Sequence, residues 1–288
     1  MIGIVGATGT IGRYLVSDLE ELKVPVTCLQ RRSSQASIKT GRTTRVVQVD
    51  LDQPETLKRG LSGCRSLFLL TGADPHLSTQ QLPVLQAARD VGVEHVVKLS
   101  AGDPVVSETS ASQIGREHWR VEQDLMAGDL SWTMLRPGFF MQNYLAMAAA
   151  IREFRSVALP VPAHMTVGMI DAADIAAVAA VVLVEGAFKG EVVSLAGESY
   201  LMCDFPLLLS HVLGQEVTYD QVTLDAAAEG MKAAGMPGWM VSQQLEVLQL
   251  MAVGAFSTGK DRHFEVTGRK RRSLSDFVRA NLDHFRPV

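Results

Sequence analysis

Apolar and polar positions follow two periods along the first half of the chain. Short runs in which at least half the positions are apolar, Ile2–Val5, Val24–Leu29, Thr44–Val49, Ser66–Leu70 and Val93–Leu99, predict strands buried on both faces. Between them Ile11–Leu22, Pro54–Leu61 and Ser78–Val91 predict helices. In the first helix Ile11, Leu15, Leu19 and Leu22 recur at helical spacing and give it one buried face. Such strands, separated by helices, build a parallel sheet covered on both sides. Right-handed crossovers then wind it into a doubly wound α/β fold.

A Gly-, Ser-, Thr- and Pro-rich loop over Ala101–Gln113 precedes a predicted helix, Ile114–Ala127, and a strand, Trp132–Leu135. After Arg136-Pro137-Gly138 the alternation weakens, and Pro160 and Pro162 interrupt the chain. Asp171–Val184 predicts an apolar helix and Val192–Leu195 a further strand. From Asp204 to Phe256 the pattern is mainly helical, with one strand at Glu216–Tyr219. Without internal repeats or a low-complexity linker, the second lobe is expected to wrap back onto the first.

Composition narrows the function classes. A formal net charge of −4 gives no electrostatic reason to bind nucleic acid. The one basic cluster, Arg269-Lys270-Arg271-Arg272, reads first as a solvated helix entry. Three cysteines, Cys28, Cys64 and Cys203, lie far apart, so neither a disulfide framework nor a metal site is expected. Cys28 and Cys64 fall in or beside apolar runs, where cysteine acts as a small hydrophobe. No apolar stretch is long enough to span a bilayer, and the first strand begins at Ile2 with no targeting segment before it. A cytoplasmic protein is expected, with no membrane partner.

Gly6-Ala7-Thr8-Gly9-Thr10-Ile11-Gly12 follows the first strand and opens the first helix. In that context Gly6 allows the sharp turn, Gly9 the approach of a pyrophosphate, and Gly12 the close packing of helix on strand. The helix N-terminus directs unpaired N–H groups at the phosphates. A Rossmann-type dinucleotide domain is therefore expected over residues 1–136. A smaller, mainly helical substrate lobe would fill most of 137–288, with segments near 166–196 returning to the sheet.

The second strand ends Cys28-Leu29-Gln30-Arg31-Arg32-Ser33, where an NAD site usually carries a carboxylate for the ribose diol. Arg31 and Arg32 would instead pair with a 2′-phosphate, which favours NADP(H) and leaves NAD(H) open. Asp50, beside Leu51 at the end of the third strand, could accept the adenine amino group or cap the helix starting near Pro54. Leu70, Thr71 and Gly72 end the fourth strand and should line the cofactor cleft.

Three segments together resemble the NmrA-like, atypical short-chain dehydrogenase/reductase group. They are Gly-Ala-Thr-Gly-x-x-Gly at 6–12, Arg136-Pro137-Gly138-Phe139-Phe140-Met141-Gln142-Asn143, and Ile170-Asp171-Ala172-Ala173-Asp174-Ile175-Ala176. Thr267-Gly268-Arg269 followed by Ser273–Val278 matches the usual end of such chains, so the resemblance spans nearly all of this one. Among its members, bacterial NAD(P)H:quinone oxidoreductases look most similar, with triphenylmethane-dye reductases and redox-sensing regulators as cousins. The resemblance implies that residues after Arg136 lie by the nicotinamide. Pro137, Gly138 and Phe139 then join the cofactor residues, and Phe139, Phe140, Asn143 and Tyr144 become candidates for the substrate wall.

Carbonyl reductases of the wider superfamily use a Tyr-x-x-x-Lys pair on the helix after the fifth strand. Here Ile114 takes the tyrosine place and His118 the lysine place, and none of the four tyrosines has Lys four residues later. Without that proton donor, the chemistry points away from simple alcohols and toward conjugated acceptors, whose added charge spreads over a ring. His118 shares a helical face with Glu122 and could hold a ribose hydroxyl, or act as an acid if Glu122 raises its pKa. Ser100, ending the fifth strand, is a candidate substrate hydrogen bond. A stripe of Met231, Met236, Trp239, Met240, Leu245, Leu248 and Met251 is core or an adaptable lid, with Trp239 a candidate substrate contact.

These observations lead to an NADPH-dependent reductase of quinones or similar aromatic compounds. A non-catalytic redox-sensing regulator and a tailoring reductase or oxygenase of a polyketide quinone remain alternatives. A homodimer stays open.

Overall fold

A computed structural model describes residues 1–32, 36–38 and 41–286. The first half runs β1 (Ile2–Val5), α1 (Thr10–Glu21), β2 (Val26–Arg31), β3 (Thr44–Val49), α2 (Pro54–Leu61), β4 (Ser66–Leu69), α3 (Leu77–Asp90), β5 (His95–Leu99), α4 (Gln113–Ala127) and β6 (Ser131–Pro137). The remainder runs β7 (Phe139–Phe140), α5 (Asn143–Ala146), α6 (Ala148–Phe154), β8 (Ser156–Leu159), β9 (Thr166–Ile170), α7 (Ala172–Glu185), β10 (Glu191–Leu195), β11 (Glu198–Leu201), α8 (Asp204–Leu213), β12 (Thr218–Gln221), α9 (Leu224–Ala233), α10 (Gly238–Ala252), α11 (His263–Thr267) and α12 (Leu274–Ala280).

Seven strands form one parallel sheet in the order β3-β2-β1-β4-β5-β6-β10. The first six keep the doubly wound order 3-2-1-4-5-6, whose reversal between β1 and β4 opens a crevice at the strands' carboxyl ends. β1, β4 and β5 are buried along their whole length, which explains their near-continuous apolar sequences. One face of the sheet carries α1 and α7 over a core containing Ile4, Leu15, Leu19, Ile175 and Val178. A second core, with Leu57, Leu61, Leu85, Val121 and Leu125, lies under α2, α3 and α4. Leu22 does not join the buried face of α1. It caps the helix and is 59% exposed, because the chain turns away at Lys23 (φ +57°), and Val16 is buried in the stripe instead.

β10 and α7 belong to this layered body although they follow the Arg136 segment by more than a turn of chain. A third core gathers β8, β9, α6, α8 and α12 around Tyr144, Phe205, Phe277 and Phe285. Two small sheets support it, β11-β9-β7 and β12-β8. The methionine-rich stripe divides: Leu248 and Met251 are buried, whereas Met231, Met236, Trp239, Met240 and Leu245 are half-exposed and α9 buries nothing completely. Among the described residues no helix is long and apolar enough to cross a membrane.

Candidate functional site

A cavity of 570 Å³ lies over the crevice, within the several-hundred-Å³ range typical of small-molecule sites. Gly6, Thr8, Gly9, Thr10 and Ile11 form its floor, and Leu51, Leu70, Thr71 and Gly72 one side. Phe140, Gln142, Asn143 and Ala172 close the far end, and Leu99 reaches it from β5. Among the described residues its only ionisable lining residue is Arg31.

The floor is shaped by three glycines with different tasks. Gly6 has φ +89°, and a Cβ there would lie 2.4 Å from the Leu70 carbonyl oxygen. A Cβ on Gly12 would lie 2.1 Å from the Gly6 carbonyl oxygen, so helix and turn touch directly. Gly9 is different. Its φ of −76° suits any residue, and a Cβ would meet nothing closer than Gly6 O at 3.4 Å. Within the protein nothing requires glycine there; the space it leaves faces the cavity. Gly9 is also the N-cap of α1 and offers no side chain to the first-turn amides, and that turn holds no acidic residue. Those N–H groups have no partner inside the helix and favour an anion. The floor therefore fits a dinucleotide pyrophosphate.

A side cleft of 440 Å³ shares Arg31 with the main cavity and is also lined by Arg32, Asp50, Leu51 and Asp52. Both arginines are exposed and, among the described residues, neither forms an ion pair. Ser33 lies outside the described residues. Asp50 serves the turn before α2: Oδ1 accepts from the Asp52 amide at 3.1 Å and Oδ2 from Gln53 Nε2 at 3.1 Å. The N-cap itself is Gln53, without a side-chain cap. Of the two readings of Asp50, these bonds favour the structural one.

The segment after Arg136 divides between wall and core. Successive residues of a strand face opposite sides, and in β7 Phe140 lines the cavity while Phe139 packs against the third core. Pro137 and Gly138 do not line the cavity either. Gly138 donates to the Leu195 carbonyl at 2.8 Å, and a Cβ on it would strike Ala196 O at 2.3 Å, so its role is the close joining of β6 and β10. Tyr144 is a correction. It is wholly buried, stacked on Phe205 at 3.7 Å between ring centroids and edge-on to Phe139 at 5.9 Å, with only Met169 Sδ at 3.8 Å from its hydroxyl. The apolar drive of α5 turns it inward, leaving exposed Asn143 at the cavity. Gln142, which the sequence reading did not single out, holds that end together: its Nε2 donates to Asp171 Oδ1 at 3.1 Å and its Oε1 accepts from the Ala172 amide at 2.9 Å. Trp239 is also a correction, because it lines a separate 150 Å³ hollow with Ile114 and Glu246.

Behind Leu99 lies a buried polar layer between β5, β6 and α4. Glu122, inaccessible to solvent, accepts from Arg136 through Nε at 3.1 Å and through Nη2, and Arg136 also pairs with Asp103 at 3.1 Å. Glu122 is thus committed to Arg136 and does not raise His118. Instead Lys98, also fully buried, has Nζ 2.8 Å from His118 Nδ1. Burial, then the neighbouring Lys98 and Arg136, hold the His118 pKa well below its ordinary value. Of the two readings of His118, the acid therefore lacks the carboxylate it would need, and burial favours the neutral imidazole. Burial also lowers Lys98, to about 7, with Glu122 opposing and Arg136 assisting the shift. A lone lysine in the run Val96-Val97-Lys98-Leu99 was the sequence signal for this layer. Ser100 is buried with its hydroxyl unbonded among the described residues, and its amide donates to Leu135 O at 2.8 Å.

Comparison with known proteins decides the family. The model of the NmrA-like family matches residues 1–258. The chain belongs to the NmrA-like family. An NAD(P)H azoreductase of Xenophilus azovorans is 33% identical over 286 residues, covering 99% of each chain. Quinone oxidoreductase 2 of Escherichia coli is 29% identical over 242 residues, covering 82% of this chain and 83% of that one. The crystal structure of an Escherichia coli NADPH-dependent quinone oxidoreductase complexed with NADPH superposes with TM-score 0.86 at 25% identity, over 98% of this chain and 100% of that chain. The NmrA-like fold thus accounts for the doubly wound sheet and its C-terminal lobe as one architecture.

Proposed function

We propose that this NmrA-like protein is an NADPH-dependent oxidoreductase that reduces quinones or similar conjugated aromatic compounds. The observation that carries the reading is the cavity itself: a glycine floor fitted to a pyrophosphate, Arg31 at one end with no ion pair among the described residues, and uncharged Phe140 and Asn143 at the other. The nicotinamide, when bound, supplies the hydride.

The chain's residues bind, orient and exclude. The first-turn amides of α1 hold the pyrophosphate, and Arg31 with Arg32 pairs with the 2′-phosphate. Phe140 offers a flat apolar surface to an aromatic acceptor. Asn143, exposed at the same end, offers an amide to its oxygen. With no ionisable residue in the described lining of this end, a neutral acceptor suits it better than an anionic one. The absence of a tyrosine donor suits an acceptor that spreads charge over a ring and takes its proton from water or from a neutral group nearby. The azoreductase and quinone oxidoreductase relatives support this chemistry. The reduced cysteines, Cys28 and Cys64 buried, fit work in a reducing compartment, for which we propose the cytoplasm.

The test is NADPH oxidation, followed by loss of the reduced nicotinamide absorbance, with a panel of quinones and azo dyes. Turnover with neutral quinones, faster with NADPH than with NADH, is expected. Tight NADPH binding with no turnover of any member would overturn the reductase reading.

A further inference from the structure

Lys98 is a fully buried lysine with no carboxylate bonded to it among the described residues. Its Nζ donates to the carbonyl of Leu99 at 3.1 Å, and Leu99 is the β5 residue that lines the cavity. Its other recorded partner is His118 Nδ1 at 2.8 Å. An ammonium has donors only, so while Lys98 is charged Nδ1 must accept, and the ring proton of neutral His118 must sit on Nε2. Nε2 has no hydrogen-bond partner among the described residues, and His118 as a residue keeps 8% of its surface exposed. The charged groups around the pair are Glu122 on α4, Arg136 on β6 and, through Arg136, Asp103 in the loop after β5. Glu122 and Asp103 are engaged by Arg136, and among the described residues no carboxylate is hydrogen-bonded to His118 to take its proton or reverse its tautomer.

We propose that Lys98 is a positioning residue for the reduction, fixing His118 as a neutral Nε2–H hydrogen-bond donor at the β5–α4 side of the cleft. The inference rests on the reductase reading for its role, but not for its tautomer. A fixed donor takes up negative charge developing on a bound oxygen without itself being ionised. It does not replace the acid the helix lacks: a neutral imidazole keeps its N–H proton, and the acceptor oxygen takes its proton from water.

The test has two arms. The ¹⁵N shifts of the His118 ring in the wild-type protein at pH 6, assigned by their loss in His118→Gln, report the tautomer directly. An unprotonated Nδ1 and a protonated Nε2 are expected; a protonated Nδ1, or an imidazolium, would overturn the proposal. In Lys98→Met the two tautomers should mix, and kcat with a quinone should fall by about tenfold or more while KM for NADPH stays within about twofold. A wild-type tautomer in Lys98→Met, or an unchanged kcat, counts against the role of Lys98. If that variant does not fold, the wild-type spectrum still decides. Absence of wild-type turnover would overturn the reductase reading alone, because the tautomer is read without substrate.

Discussion

Gly12 packs on Gly6 so closely that a Cβ on Gly12 would fall 2.1 Å from the Gly6 carbonyl oxygen, while a Cβ on Gly9 would clear the same atom at 3.4 Å. The two glycines should therefore fail in different ways. Gly12→Ala must push helix from strand and is expected to destabilise the fold by roughly 1–3 kcal/mol. Gly9→Ala should leave the thermal midpoint nearly unchanged yet weaken NADPH binding by about tenfold, or roughly 1.4 kcal/mol, by filling the phosphate space. Thermal unfolding and fluorescence titration of both variants separate the cases. Equal loss of stability in both would refute the division of labour.

β1, β4 and β5 were legible because burial on both faces leaves a near-continuous apolar run, whereas β3, buried only at Val49, was read from Val46, Val47 and Val49. Helix α2 was read to its ends, Pro54 and Leu61, by its leading proline and apolar pattern. The small strands β7, β8, β9 and β11 were not. They are two to five residues long and pair across the lobe, β8 with β12 more than 60 residues away, so no local period marks them. Site residues failed where composition was right and direction was not. Phe139, Phe140 and Tyr144 look equivalent in sequence, yet only Phe140 faces the cavity, because a strand alternates its faces and α5 turns Tyr144 into the core. Likewise, helical spacing put Glu122 beside His118, but Arg136, arriving from β6, claims that carboxylate. Such nonlocal competition leaves no trace in spacing.

Arg31 lines both the main cavity and the side cleft, with no ion pair among the described residues to hold it elsewhere. A charge-assisted hydrogen bond to a 2′-phosphate is worth about 1.5–3 kcal/mol. Arg31→Ala should thus raise Kd for NADPH by about ten- to a hundredfold and leave that for NADH within about twofold. Isothermal titration with both cofactors checks this, and a parallel loss for NADH would mean that Arg31 does not read the phosphate.

Tyr144, assigned to the core by its stacking on Phe205, should behave as core. Its hydroxyl meets only a thioether, so Tyr144→Phe is expected to keep both stability and turnover. Tyr144→Ala should cost about 3–5 kcal/mol of stability through the cavity it opens. Steady-state kinetics and urea unfolding distinguish this from a substrate-wall role, for which Tyr144→Phe would change KM for the acceptor.

Asp174, on the first turn of α7, accepts the Arg272 amide at 2.8 Å and lies 3.7 Å from His263. Burial, the largest cause, raises its pKa from 3.8 to about 6, against the pull of the Arg272 amide. Between those values the folded state holds the proton more strongly than the unfolded chain. This contribution to stability therefore declines as pH rises from about 4 to about 6. Asp174→Asn should flatten that part of the pH dependence, as read by urea unfolding at pH 4.5 and 6.5. An unaltered slope would mean that another group carries it.

Lys98 gives the opposite sign in another window. Burial lowers its folded-state pKa to about 7 from 10.5, so above pH 7 the unfolded chain binds a proton that the folded state has released. Stability should accordingly rise with pH from about 7, as the cost of holding the ammonium in the β5–α4 layer is relieved. The raised thiol pKa values of Cys28 and Cys64 act in the reverse sense only above their ordinary value of 9, and the lowered His95, His118 and His263 add upward slope only around and below their ordinary 6.5, so pH 7.5 to 8.5 isolates the lysine. Lys98→Met, close in volume and without charge, should be more stable than wild type at pH 6.5 and should lose the upward slope. Its stability gain and its loss of turnover would then appear in one variant, as expected of a charge retained for function at a cost to folding. Urea unfolding of both proteins, at pH 6.5 for the stability difference and at pH 7.5, 8.0 and 8.5 for the slope, makes the comparison. A wild-type stability that does not rise across that range would show that the ammonium is not buried at this cost.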